Sequence, residues 1–450
     1  MKKRRTIFNK SVKSISYVLN QWHPFLAVLV FGFASIAAAQ EVTSSDIPAT
    51  ELSGHPLFAK DETARAYHII GNENQRPRKY SEKELSILQD QLVRLTSDLV
   101  SIPSYSTNLE ACLAITDYVE NLFKSSGYII RRFEKNGAQS MIISKKDGFE
   151  YDLIFLGHLD VVDNPDRSSY TPKVIGNTLH GRGISDMKAA TAGMIKLFLD
   201  NNKNPQFDNY ALVMTTDEQI GGFNGTAHLI EDYGLKAKVV FNPDGGHPLN
   251  PSISEKGILQ IKLTATGKAA HGSRPWEGRS AIELLNEDIE QVKKQFSYGD
   301  IDHQSYITFN LGTLKGGEAT NSVPAMAEAT IDLRYPPTLT VGAIEGKIRN
   351  ALKNSKLEIM NSADPVSIEP DDEALLDLMR ALLKQGRIPS LMHETGGCDA
   401  RWFTPQGSSI LLLRLEGTGG LIDDEYVTIP GLSNYYIVME NFLDEIADNF

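Results

Sequence analysis

Three apolar runs, each closing on a polar tip, give the middle of the chain its plan. Leu153-Ile154-Phe155-Leu156 leads to His158 and Asp160, Leu179 leads through a glycine-rich turn to Asp186, and Ala211-Leu212-Val213-Met214 leads to Glu218 and Gln219. A helix-period stretch over 187–199 follows the second tip, so the repeated unit is strand, polar tip, helix. Upstream, Ser81 with Glu84 three residues on forms a capping box for a helix over 81–100. A second helix is expected over 109–126, then strands at 128–133, 139–144 and 152–156. Residues 225–233 read as helix and 237–241 as a strand that ends in Asn242-Pro243-Asp244-Gly245-Gly246, which adds Asp244 to the polar tips.

From Gly257 the period becomes two. Leu259, Ile261 and Leu263 alternate with Gln260, Lys262 and Thr264, as in a strand with one wet face. A helix over 280–296, strands at 306–314 and 325–334 and a helix over 341–354 follow. That order, with one more strand, predicts a ferredoxin-like α+β domain at 257–365 inserted into an α/β domain whose mixed, mostly parallel sheet is flanked by helices. The larger domain then spans 81–256 and 366–450, resuming through a helix at 373–385 and a strand at 409–413. Residues 40–80, polar and interrupted by Pro48, Pro56 and Pro77, read as a loose N-terminal arm.

Parallel strands direct their carboxyl ends at one crevice, so His158, Asp160, Asp186, Glu218 and Asp244 can converge although far apart in sequence. Imidazole with several carboxylates and no nearby cysteine has the composition of a hydrolytic zinc centre. A single histidine at a strand end is more often structural, and it is the recurrence at successive strand ends that favours the metal.

The first 39 residues carry Lys2, Lys3, Arg4, Arg5, Lys10 and Lys13 with no acid, then an apolar run from Phe25 to Phe33 and Ala37-Ala38-Ala39. This is the order of a cleaved secretory signal, with an uncleaved anchor as the alternative, and it predicts a periplasmic or secreted protein. Loss of those six basic residues takes the formal charge from −12 to −18, a balance that repels nucleic acid and anionic lipid. Two cysteines, Cys112 and Cys398, are too few for a disulfide framework. Cys112 falls on the apolar face of its helix, as a core residue would.

Six ordered motifs resemble the zinc aminoacylase, carboxypeptidase G, acetylornithine deacetylase and carnosinase-like dipeptidase family over nearly all of the chain after the signal. They are Gly157-His158-Leu159-Asp160, Gly181-Arg182-Gly183-Ile184-Ser185-Asp186-Met187-Lys188, Thr215-Thr216-Asp217-Glu218, Gly267-Lys268-Ala269-Ala270-His271-Gly272-Ser273, Asn321-Ser322-Val323-Pro324 with Asp332 and Arg334, and Gly396-Gly397-Cys398-Asp399-Ala400-Arg401. The resemblance implies that His158, Asp186 and Asp244 hold a zinc ion, that Asp160 braces the His158 ring, and that Glu218 is general base to a metal-activated water. It implies that His271 stabilises the oxyanion in a partner subunit's site, making the protein a homodimer through the inserted domain. A satisfied surface histidine is the other reading of His271. Asn321, Arg334 and the Gly396-Gly397 turn would hold the substrate's carbonyl and free carboxylate.

Two departures fall together. The family's Asp-Glu-Glu is here Asp217-Glu218-Gln219, and Leu421 stands where the family has a histidine before Glu425-Tyr426. Both family residues are implied ligands of a second metal, so one tight zinc is expected and a second weak or absent, unless His247, His393 or Cys398 substitutes. The expected function is an exported metal-dependent amidohydrolase, an exopeptidase or deacylase of small peptides or N-acylated amino acids. The alternative is a catalytically impaired relative that binds peptides or amino-acid derivatives.

Overall fold

The computed structural model describes residues 58–71, 80–299, 305–418 and 424–447. The predicted signal and Leu421 lie outside the described residues. A nine-stranded sheet organises the larger domain. Its strands are β1 (Ile129–Lys135), β2 (Ala138–Ser144), β3 (Glu150–His158), β4 (Tyr210–Thr215), β5 (Lys236–Asn242), β6 (Ser252–Glu255), and, beyond the insert, β11 (Val366–Ser367) and β12 (Ser409–Leu412), with Met392–His393 pairing alongside β6. The spatial order β1-β2-β4-β3-β5-β12-β6-β11 places four parallel strands, β4, β3, β5 and β12, at its centre. These strands are near-continuous runs of Leu, Ile, Val and Phe because helices cover both faces of the sheet, and every residue of β4 is buried.

Helices α2 (Glu82–Val100), α3 (Leu109–Phe123), α4 (Ala189–Asp200), α5 (Thr226–Tyr233), α8 (Glu373–Leu383) and α9 (Ile429–Ile446) cover the sheet. The capping box is present: Ser81 Oγ accepts from Glu84 N at 3.3 Å and Glu84 Oε2 accepts from Ser81 N at 2.8 Å. Cys112 is buried in α3, as the apolar face predicts.

The stretch read as a loose arm contains a further helix, α1 (Lys60–Ile70), which corrects that expectation. Pro56 and Pro77 lie outside this helix and do not interrupt it. Thr63, Ala66 and Ile70 face the core, and Thr63 Oγ1 accepts from Leu391 N at 2.9 Å. The final helix α9 was not anticipated either. It is buried on most sides, so it lacks a polar stripe to mark its period.

The insert is a four-stranded antiparallel sheet of β7 (Gly257–Thr266), β8 (Thr308–Gly316), β9 (Met326–Tyr335) and β10 (Ser355–Ala363), in the order β8-β9-β7-β10. Leu259, Ile261 and Leu263 turn inward with Ala329, Ile331 and Leu333 to meet α6 (Ala281–Lys293) and α7 (Val341–Ala351). Edge strand β8 is mostly exposed, Leu311 and Leu314 included. No helix among the described residues is long and apolar enough to cross a membrane.

Candidate active site

Four of the predicted residues meet at the carboxyl ends of β3, β4 and β5 and at the turn before α4. His158 closes β3, and its Nε2 lies 3.0 Å from Asp186 Oδ1, 3.6 Å from Asp244 Oδ2 and 4.0 Å from Glu218 Oε2. One donor atom each from His158, Glu218 and Asp244 fall within 4.8 Å of one another. The imidazole is 2% exposed, while the carboxylates of Asp186, Glu218 and Asp244 keep 15, 10 and 21%, so the cluster opens on its acidic side.

Local structure explains each placement. Asp160 follows β3 on a segment pinned by Leu159 N donating to Thr215 O at 2.8 Å and by Ser104 Oγ donating to Leu159 O at 2.6 Å. Asp186 lies on the irregular turn Ile184–Lys188, entered through Gly183 at φ 75°. A Cβ on Gly183 would come 2.0 Å from Val161 Cγ1, so both its conformation and its space require glycine. Two buried contacts hold this turn: Arg182 pairs with Glu425, and Lys188 Nζ donates to Leu99 O and Ile102 O at 3.0 and 2.8 Å. Asp244 N donates to Asn242 Oδ1 at 2.7 Å, fixing the tip after β5.

Electrostatics follow from the crowding. Burial alone would lower the His158 imidazole, but its hydrogen bonds to Asp160 and Asp186 and the charge of Asp244 hold it well above its usual value. Burial, then the Asp186 charge, pushes Asp244 up to about 7, and burial with the Asp244 charge raises Glu218 well above the carboxylate range. At Asp186 burial is the largest influence and raises the carboxyl, but the hydrogen bond and charge of His158, the Gln219 hydrogen bond and the Arg414 charge together outweigh it and lower it. A cation fits this donor set. His158 Nδ1 lies 2.9 Å from the Asp160 backbone oxygen, which leaves Nε2 as the ligating atom, and the carboxylates around it gain from positive charge.

Asp160 itself is buried and accepts from Glu218 N at 3.2 Å, Gln219 N at 3.1 Å and Ser106 Oγ at 2.6 Å. Gln219 turns its side-chain nitrogen, not its oxygen, to the cluster, 3.3 Å from each Asp186 oxygen and 3.1 Å from Glu218 Oε2. The pattern of polar tips along the sequence does not mark Ser106, Glu255 or Arg414. Arg414 follows β12, and its charge lowers both Asp186 and Asp244. Glu255 closes β6 fully buried, accepting from Cys398 N and Sγ at 3.1 Å each, and burial pushes it up to about 8. No sequence signal marks either as part of a site.

The remaining candidates lie elsewhere. His271 is exposed on the insert, its Nδ1 2.8 Å from Ser273 Oγ, and Asn321 O accepts from Gly272 N at 2.7 Å beside it. Arg334 forks onto Asp332, with Nε to Oδ1 at 2.7 Å and Nη2 to Oδ2 at 3.2 Å. Gly396 N donates to Glu394 Oε1 at 3.4 Å, and a Cβ on Gly397 would come 3.4 Å from Lys256 O. Of the substitute ligands, His393 bonds Ser254 Oγ at 2.8 Å, His247 lies against Asn250, and Cys398 is behind Glu255; none joins the His158 group among the described residues.

An imidazole and carboxylates gathered at parallel strand ends make a donor set of the kind hydrolytic metal centres use. Residues 253–360 match the family model described as a peptidase dimerisation domain. The chain is 25% identical over 312 residues to a succinyl-diaminopimelate desuccinylase of Acinetobacter baylyi, covering 65% of this chain and 82% of that one. Its fold is similar to aminopeptidase PepT from Bacillus cereus, with TM-score 0.65, 21% identity and coverage of 80% and 99% of the two chains. It is also similar to an M20 family metallo-carboxypeptidase from Sulfolobus solfataricus, with TM-score 0.66, 17% identity and coverage of 80% and 100%. The matches thus give residues 253–360 as a peptidase dimerisation domain and the chain as a whole the fold shared by these peptidases.

Proposed function

We propose that the protein is an exported, zinc-dependent amidohydrolase that cleaves the amide bond of a small peptide or N-acylated amino acid with one tightly held cation. The observation that carries this reading is the Glu218 carboxyl, raised by burial and the Asp244 charge, within 4.0 Å of His158 Nε2. His158, Asp186 and Asp244 would hold the ion. When bound, it supplies Lewis acidity toward the amide carbonyl and the attacking water. Glu218 would take a proton from that water and deliver one to the leaving nitrogen, a double duty suited to a carboxyl raised above its ordinary value by burial and the Asp244 charge. Asp160 keeps the His158 ring and the Glu218 turn in register through the contacts above.

The names of the desuccinylase, aminopeptidase and carboxypeptidase relatives support an acyl-amino acid or peptide as substrate. Exposed β8 and the dimerisation-domain match support a homodimer in which His271 serves the partner's site. The basic and apolar N-terminal order supports export. The test is a screen of N-succinyl and N-acetyl amino acids and of dipeptides with zinc-loaded protein, followed by mass spectrometry; release of free amine is expected. The second reading, a binding protein, draws on Gln219, and intact recovery of every bound ligand would favour it.

A further inference from the structure

Gln219 is anchored at both ends on the acidic cluster. Its backbone N–H donates to Asp160 Oδ2 at 3.1 Å, and its side-chain Nε2 lies 3.3 Å from both Asp186 oxygens and 3.1 Å from Glu218 Oε2. An amide nitrogen carries two N–H donors and offers no lone pair to a metal, so it meets these carboxylates as a donor and not as a ligand. Asp186, Glu218 and Asp244 stand around one imidazole, and like charges so placed repel unless a cation or donors come between them. His158 Nε2 approaches Asp186 Oδ1 at 3.0 Å, and the Gln219 amide reaches that same oxygen and Oδ2 at 3.3 Å each.

We infer that Gln219 is a positioning residue whose amide bridges Asp186 and Glu218 by hydrogen bonds, doing with two N–H groups what a second cation would do with charge. The inference rests on the one-cation reading above. It turns the change from the family's glutamate into a device that keeps the general base at a fixed spacing from an aspartate of the metal site. A glutamate at 219 has the same length but only accepts, so it would add a like charge at this point. A methionine has nearly the same length and neither donates nor repels.

The test compares wild type, Gln219→Met and Gln219→Glu as full-length protein, stripped of metal and then given one equivalent of zinc. In the metal-free state Gln219→Glu is expected to melt about 2–6 °C below wild type, with Gln219→Met between them. Zinc should recover more of the Tm in Gln219→Glu than in the other two. With an N-succinyl amino acid as probe, Gln219→Met should lose at least about tenfold in kcat while KM stays within about twofold. Equal metal-free Tm for all three proteins would overturn the inference, since a space-filling side chain behaves that way. So would wild type holding two zinc ions with equal tightness after dialysis. If Gln219→Met does not fold, the Gln219→Glu and wild-type melting curves decide alone. If wild type hydrolyses no probe, the hydrolase reading fails, while the melting and zinc-content measurements still judge the amide bridge.

Discussion

The Asp160 backbone oxygen lies 2.9 Å from His158 Nδ1, so a residue two positions after the histidine fixes which ring nitrogen faces Asp186. The same aspartate's carboxylate collects the backbone N–H groups of Glu218 and Gln219 from the next strand end. Asp160 is thus the joint between β3 and β4. Its carboxylate also accepts from Ser106, which gives it three donors and no need of a metal.

The carboxylate also stands 3.5 Å from His158 Nδ1, so Asp160→Ala, which keeps the backbone contact but removes this one and the anchor of the Glu218 turn, should weaken zinc binding about 10- to 100-fold without removing a ligand. Competition with a chelating dye measures this directly. Unchanged affinity would show that the ring is held without the carboxylate.

Glu218→Gln separates base from ligand. As a base variant it should keep its zinc and lose about 10²–10⁴ in kcat. Zinc content falling in parallel with the rate would instead assign Glu218 to the metal, as its place in the three-donor group with His158 and Asp244 allows.

Sharing of sites between subunits predicts complementation. His271→Ala and Glu218→Ala, each inactive alone, should recover activity when mixed, because a mixed dimer contains one site with both groups intact. A monomer in sedimentation with full turnover would contradict the shared site.

Glu255 gives a pH-dependent prediction. Its folded value of about 8 is raised above the ordinary 4.5 by burial, so the protonated form is the one the fold favours. The stability linked to this group is fully present below pH 4.5 and is lost as pH rises through 8. Glu255→Gln should accordingly be more stable than wild type at pH 8, by about 1–3 kcal/mol, with the difference shrinking toward pH 5. Equal denaturant midpoints at both pH values would contradict the buried acid.

Periodicity made most of the fold legible. The alternation of Leu259, Ile261 and Leu263 with polar neighbours marked the wet-faced sheet of the insert, and the runs ending in His158, Glu218 and Asp244 marked the central parallel strands. It failed at α9, buried on most sides, and at α1, where prolines outside the helix masked the spacing of Thr63, Ala66 and Ile70. At the site, His158, Asp186, Glu218 and Asp244 were legible because each ends an apolar run or opens a helix. The direction of the Gln219 amide was not, since sequence names the group but not which end of it faces the carboxylates. Arg414 and Glu255 act on the cluster through space, with no local motif.

The most direct test of the one-cation hydrolase is a zinc titration of metal-free protein in which bound zinc per chain and hydrolysis of an N-succinyl amino acid and a dipeptide are followed together. The account predicts that the rate rises to its plateau as the first equivalent binds. A rate that appears only with the second equivalent, or no hydrolysis at any zinc content while the ligands bind intact, would contradict it.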